Sequence, residues 1–172
     1  MDRPDKDRYF LDIALSVAAR STCTRRRFGA VLVKDSTIVG TGYNGTARGV
    51  VNCYEVGCIK DVMDSPKGAA YDYCPAVHAE ENAIINSNRS DRIGATLYIA
   101  GRDRDGGLTM AEPCQRCRRK IMNSQIKDVI IMSNEGKALH FDVADYAEED
   151  TKWYMDALKK AKGDTKTAPS RT

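Results

Sequence analysis

No run of the sequence approaches the ~18 consecutive apolar residues that a membrane-spanning helix needs, so a membrane is not expected as a partner. The first eight residues, MDRPDKDR, are polar and lack the apolar core of a secretory signal, and the expectation is a cytoplasmic chain. A strong charge of one sign is missing as well. Lys and Arg number 27 against 24 Asp and Glu, a net charge of +3. Proteins that hold nucleic acid by charge carry a clustered basic face. The small basic groups here, Arg25, Arg26 and Arg27, then Arg116, Arg118, Arg119 and Lys120, read as solvated surface. Nucleic acid is therefore not expected as a partner. Internal repeats are also absent, which excludes solenoids and propellers.

What remains is a chain of 172 residues, 42% hydrophobic, with six cysteines. That length fits a single domain with a real core, predicted here over residues 1–162, with 163–172 as a polar, disordered tail. Without a secretory signal, six cysteines point to metal ligation or catalysis before a disulfide framework.

Tyr9, Phe10, Ile13, Ala14, Val17 and Ala18 recur at helical spacing and predict a helix over residues 4–20. Two strand-like runs, 28–33 and 37–43, flank the short turn Lys34-Asp35-Ser36 and read as a hairpin. Residues 45–76 have no period. A helix is predicted over 78–88, a strand over 95–99, a polar loop over 102–112, and a helix over 114–124 opened by Pro113. A strand at 128–132, a short strand at 139–143 and a helix over 143–162 complete the chain. This alternation predicts an α/β fold, a three-layer α/β/α sandwich around a central mixed sheet of about five strands.

The chemistry concentrates at two predicted helix starts. His78-Ala79-Glu80 opens one helix and Pro113-Cys114-Gln115-Arg116-Cys117 opens the other. Residues three apart share a helix face, so both thiols can face one ion. The partial positive charge of a helix N-terminus favours thiolate. One His and two Cys suit Zn²⁺, and three protein ligands leave the fourth position open to water, as in catalytic zinc sites. Zinc lowers the pKa of a bound water from ~16 toward ~7. Glu80, two residues from His78, can take such a proton and pass it on. A closed structural knuckle lacks a fourth ligand beside these three, and a redox dithiol would leave His78 and Glu80 without a task.

On these residues the chain resembles the deoxycytidylate (dCMP) deaminase family of the cytidine deaminase-like superfamily. The order H-x-E followed by P-C-x-x-C is the zinc deaminase arrangement. The likeness extends to Ser21-Thr22-Cys23-Thr24-Arg25-Arg26-Arg27-Phe28-Gly29-Ala30-Val31, to Gly42-Tyr43-Asn44-Gly45-Thr46, and to Val77-His78-Ala79-Glu80-Glu81-Asn82-Ala83-Ile84. The resemblance implies hydrolysis of dCMP to dUMP and ammonia, with His78, Cys114 and Cys117 as zinc ligands and Glu80 as the proton shuttle. It implies Asn44, Arg26 and Ala79 as substrate contacts. Asn44 can also be read as a turn residue before Gly45, and Arg26 as a surface cation.

The resemblance further implies a homo-oligomer, dimer or hexamer, with dCTP and dTTP as effectors. Some relatives carry a second, structural zinc near the positions of Cys23 and Cys53. Cys58 and Cys74 are the candidates to complete it, against the plainer reading of all four as small buried apolar groups. Loop 101–112 is longer than the family pattern and carries Ala111-Glu112 before Pro113. The alternatives are the same chemistry on another nucleoside, nucleotide, base or polynucleotide, or a non-enzymatic zinc-stabilised binding module.

Overall fold

The computed structural model of the protein describes residues 3–66 and 71–165. Helix α1 (Lys6–Ala18) leads into the hairpin of β1 (Arg26–Lys34) and β2 (Thr37–Tyr43). The aperiodic segment then forms only short pieces: β3 (Gly45–Thr46), α2 (Cys53–Val56), α3 (Ile59–Val62), a 3₁₀ turn (Tyr71–Tyr73) and β4 (Ala76–Val77). Next come α4 (Ala79–Ile85), α5 (Arg89–Arg92), β5 (Thr96–Asp103), α6 (Gln115–Asn123), β6 (Asp128–Met132), β7 (Ala138–Asp142) and α7 (Val143–Thr165). Residues 166–172 of the expected tail lie outside the described residues, and α7 runs three residues into it.

The five long strands form one sheet in the order β2-β1-β5-β6-β7. Only β5 and β6 run parallel, joined across α6, and the other pairs are antiparallel. The sheet is mixed, as expected. Alternation along the strands divides the core. Val31, Val33, Tyr98, Ala100, Ile130 and Met132 face α1. Ala30, Leu32, Leu97, Ile99, Val129 and Ile131 face the other side, with Ala83 of α4, Ile121 of α6 and Tyr146 of α7. This is the three-layer arrangement. No helix among the described residues is long and apolar enough to cross a membrane.

Local chemistry explains the boundaries. The Asp5 carboxylate accepts the Arg8 amide at 2.7 Å and starts α1. Phe10, Ala14 and Ala18 of its predicted face are buried, and the face is shifted only at its N-terminal end. Leu11 is fully buried, whereas Tyr9 is 51% exposed. In the β1–β2 hairpin, Asp35 and Ser36 both take positive φ, 49° and 62°. That is the two-residue turn whose twist matches the strands. The helix predicted over 78–88 ends three residues early, at Ile85. Asn86 donates its side-chain amide to Thr41 O at 2.9 Å, and Asn88 stands at the N-terminal boundary of α5, where its amide donates to Asp91 Oδ2 at 3.1 Å.

Glycines on one face of β2 bring α4 against the sheet. A Cβ on Gly42 would stand 2.2 Å from the Ala83 nitrogen and 2.4 Å from the Ala79 oxygen. Strand and helix therefore touch backbone to backbone, and Asn82 reinforces the contact by donating to Tyr43 O at 2.8 Å. Gly42→Ala is expected to lower unfolding stability by about 3 kcal/mol, the upper end for overpacking, read as a lowered urea midpoint. An unchanged midpoint would show that α4 can lift from β2 without cost.

Candidate active site

His78 and Cys114 are the N-caps of α4 and α6, and Cys117 lies in the first turn of α6. The two helix starts converge. His78 Nδ1 is 3.6 Å from the Cys114 sulfur and 3.3 Å from the Cys117 sulfur. The three ligand atoms lie within 4.8 Å of one another, the one group of its kind among the described residues. The thiols separate in acidity. The hydrogen bond from Cys117, with a further contribution from His78, lowers Cys114 to about 3. The same bond, together with burial, pushes Cys117 up. A thiolate beside an imidazole and a second sulfur, at two helix N-termini, is a donor set that fits zinc.

Glu80 follows within the first turn of α4 and is 7% exposed. Burial raises its carboxyl above the ordinary carboxylate range, and the charge of His78 opposes that shift. It is also within hydrogen-bonding reach of Cys117. A buried carboxyl poised to hold a proton therefore stands at the metal-ligand cluster.

A cavity of about 510 Å³ opens from this cluster. His78, Ala79, Glu80 and Cys114 line it, and so do Asn44 and Arg26. Asn44 is 8% exposed and bonded to three partners. Its carbonyl oxygen accepts from Ser21 Oγ at 2.8 Å and the Phe28 amide at 2.7 Å, and its amide donates to Arg26 O at 2.9 Å. One N–H of the amide is left over. Arg26 is half-buried and has no ion-pair partner among the described residues.

The zinc-binding-region family of cytidine and deoxycytidylate deaminases matches residues 4–133. The chain belongs to that family. It is 43% identical over 135 residues to a deoxycytidylate deaminase of Mycobacterium phage D29, covering 76% of this chain and 96% of the phage protein. It is 41% identical over 130 residues to the deoxycytidylate deaminase of Schizosaccharomyces pombe, covering 74% of this chain but only 37% of the yeast protein. A solved dCMP deaminase of cyanophage S-TIM5, in complex with dCMP and dUMP, superposes with a TM-score of 0.55 at 24% identity. It covers 76% of this chain and 83% of the phage chain. That likeness shows the fold.

Within this family fold, the four remaining cysteines also line the cavity. The Cys53 thiol is pushed up, first by burial and then by the charges of Cys23, Cys58 and Cys74. The four are gathered, but among the described residues no three of them reach the spacing of the His78 cluster.

Two features escaped the sequence. Arg118, expected on the surface, has a side chain only 14% exposed, paired with Glu112 and Glu149. Its guanidinium lies 4.3 Å from the Tyr146 ring centroid. It thus ties the residue before Pro113 to α7 and braces the metal loop from behind. Its pairing partner Glu149 lies 31 residues away, too far for any local pattern to reveal. The second feature is the end of the cavity around Arg104, which sequence reading passed over as part of a polar loop. His140, by contrast, lies outside the site, on β7, and pairs with Asp7 at 3.0 Å.

Proposed function

We propose that this protein hydrolyses dCMP to dUMP and ammonia in pyrimidine deoxynucleotide metabolism. The observation that carries the reading is a single cavity lined both by the His78, Cys114 and Glu80 cluster and by Asn44 and Arg26. The names of the phage D29 and fission-yeast relatives support the same substrate.

His78, Cys114 and Cys117 would hold the zinc, which when bound supplies an acidified water for hydrolysis. Glu80 would take one proton from the attacking water and deliver it to the ring nitrogen next to the amine-bearing carbon, then carry the proton of the hydroxyl added to that carbon to the amine, so that ammonia leaves as the carbonyl forms. Its burial keeps bulk water from competing for the proton. Ala79 opens α4, where backbone N–H groups lack helical partners, and offers a donor to the base at the cavity wall. The spare amide N–H of Asn44 suits a sugar hydroxyl, and its other bonds hold it in place. The unpaired guanidinium of Arg26 offers a forked donor to phosphate oxygens.

A second zinc held by Cys23, Cys53, Cys58 and Cys74 extends this reading. Thiolate ligands suit a closed structural site, and the charges of the other three already act on Cys53. Closing on an ion would draw in α2 and α3, each only four residues long. Assembly into dimers or hexamers and control by dCTP and dTTP belong to the same proposal. Tyr54, Val56 and Val62, all more than half exposed, are apolar surface of the kind a subunit contact covers.

The deciding experiment is ammonia release from zinc-loaded protein offered dCMP, dCTP, deoxycytidine, guanine and single-stranded DNA at fixed salt. The expected result is the highest kcat/KM with dCMP. A higher value for another substrate would move the assignment within the family, and no turnover of any would leave a zinc-stabilised binding module.

A further inference from the structure

The cavity wall on β5 extends from Ile99 to Asp103. At ~3.3 Å per strand residue these positions stand about 13 Å apart. Ile99 packs in the same core cluster as Ala79 and Ala111, near the metal ligands. Asp103 pairs across the sheet with Arg26. The cavity therefore has a far end, and four cations line it: Arg25, Arg26, Lys60 and Arg104.

Three aspartates, Asp61, Asp103 and Asp105, share that end. Asp103 is turned into its own loop, where it accepts the amides of Asp105 at 3.1 Å and Gly107 at 2.9 Å. Asp61 is taken by two guanidiniums at once, Arg25 at 3.5 Å and Arg104. Arg104 also donates its Nε to Thr24 O at 3.3 Å, which lays its guanidinium along the segment that leads into Arg26. Arg25 Nη1 is buried with no hydrogen-bond partner among the described residues. One carboxylate is thus shared by two guanidiniums whose other bonds go to backbone carbonyls, Arg25 to Ser65 O at 3.2 Å and Arg104 to Thr24 O, beside a third guanidinium, Arg26, with no ion pair among the described residues. A phosphate has more charge and more acceptor oxygens than a carboxylate, and it matches guanidinium forks in the same planar way.

We infer that Arg104 binds the nucleotide phosphate opposite Arg26 and makes the site selective for a monophosphate over a nucleoside. This rests on the cytosine-nucleotide reading above. In the inferred exchange the Arg104 fork passes from Asp61 to phosphate oxygens.

The test is Arg104→Gln, a change at a side chain 56% exposed. Titration calorimetry compares dUMP with deoxyuridine, which lacks the phosphate. Loss of a charge-assisted hydrogen bond should weaken dUMP about tenfold or more, with deoxyuridine affinity shifting less than about twofold. The ratio of kcat/KM for dCMP over deoxycytidine should fall in parallel. Undiminished dUMP affinity in the variant, or an equal loss for both ligands, would overturn the role of Arg104 and leave the deaminase reading standing. A wild-type protein that neither binds dUMP nor deaminates dCMP would remove both.

Discussion

Glu80→Gln is expected to lower kcat by about 10²–10⁴-fold, the usual worth of a positioned acid–base group, with zinc content and unfolding midpoint kept at wild-type values. The amide has the shape of the carboxyl, so packing at a side chain 7% exposed is preserved. The change instead removes the ability to receive and return a proton. Burial already favours the protonated carboxyl, so a neutral amide introduces no new buried charge, and the fold should tolerate it. Kinetics with dCMP beside metal analysis of the same samples separates the two effects. A kcat within about threefold of wild type would mean that the proton travels by another group. A parallel loss of zinc would mean that Glu80 serves the metal rather than the substrate.

The second large effect is at the ligands. Cys117→Ala should remove about one zinc per chain and reduce dCMP turnover to background, because catalytic zinc sites rest on three protein ligands. Cys117 is 2% exposed and sits 3.3 Å from the imidazole that shares the site. Solvent cannot easily replace it. The wild-type protein should carry about two zinc ions. On the four-cysteine proposal, Cys53→Ser should remove the other one and leave dCMP turnover within about tenfold, because a structural zinc takes no part in the reaction. One zinc in the wild type, still present in Cys53→Ser, would end the four-cysteine reading without touching the catalytic one.

Two strands were legible to the residue, whereas the strand expected at 95–99 runs over Thr96–Asp103, into the stretch read as a polar loop, because Arg26 and Arg27 pair with its outer end. The strands at 37–43 and 128–132 were read with the limits the structure has, because alternation and β-branched runs report burial directly. Helix ends were less so. The break after Ile85 depends on Asn86 reaching Thr41, a partner 45 residues away. The close seating of α1 on the sheet depends on Gly29, where a Cβ would stand 2.1 Å from Ala14 O and hold the helix off. Four-residue helices such as α2 and α3 carry no period at all. They were invisible, although they place Cys53, Cys58 and Asp61 on the cavity.

By itself the sequence determined the family, the mixed α/β layering and the residues able to ligate zinc and move a proton. Those properties reside in short motifs at helix starts and in the spacing of apolar side chains, which are local and survive being written in one dimension. Only the tertiary structure decided that Asn44 is clamped by Ser21, Phe28 and Arg26, that Arg118 braces the metal loop, and that Arg25 and Arg104 share Asp61. Each is a charge or hydrogen-bond pairing whose partners the fold brings together from distant segments. Along the chain such residues look the same as solvated surface, and their meaning comes from what lies opposite them.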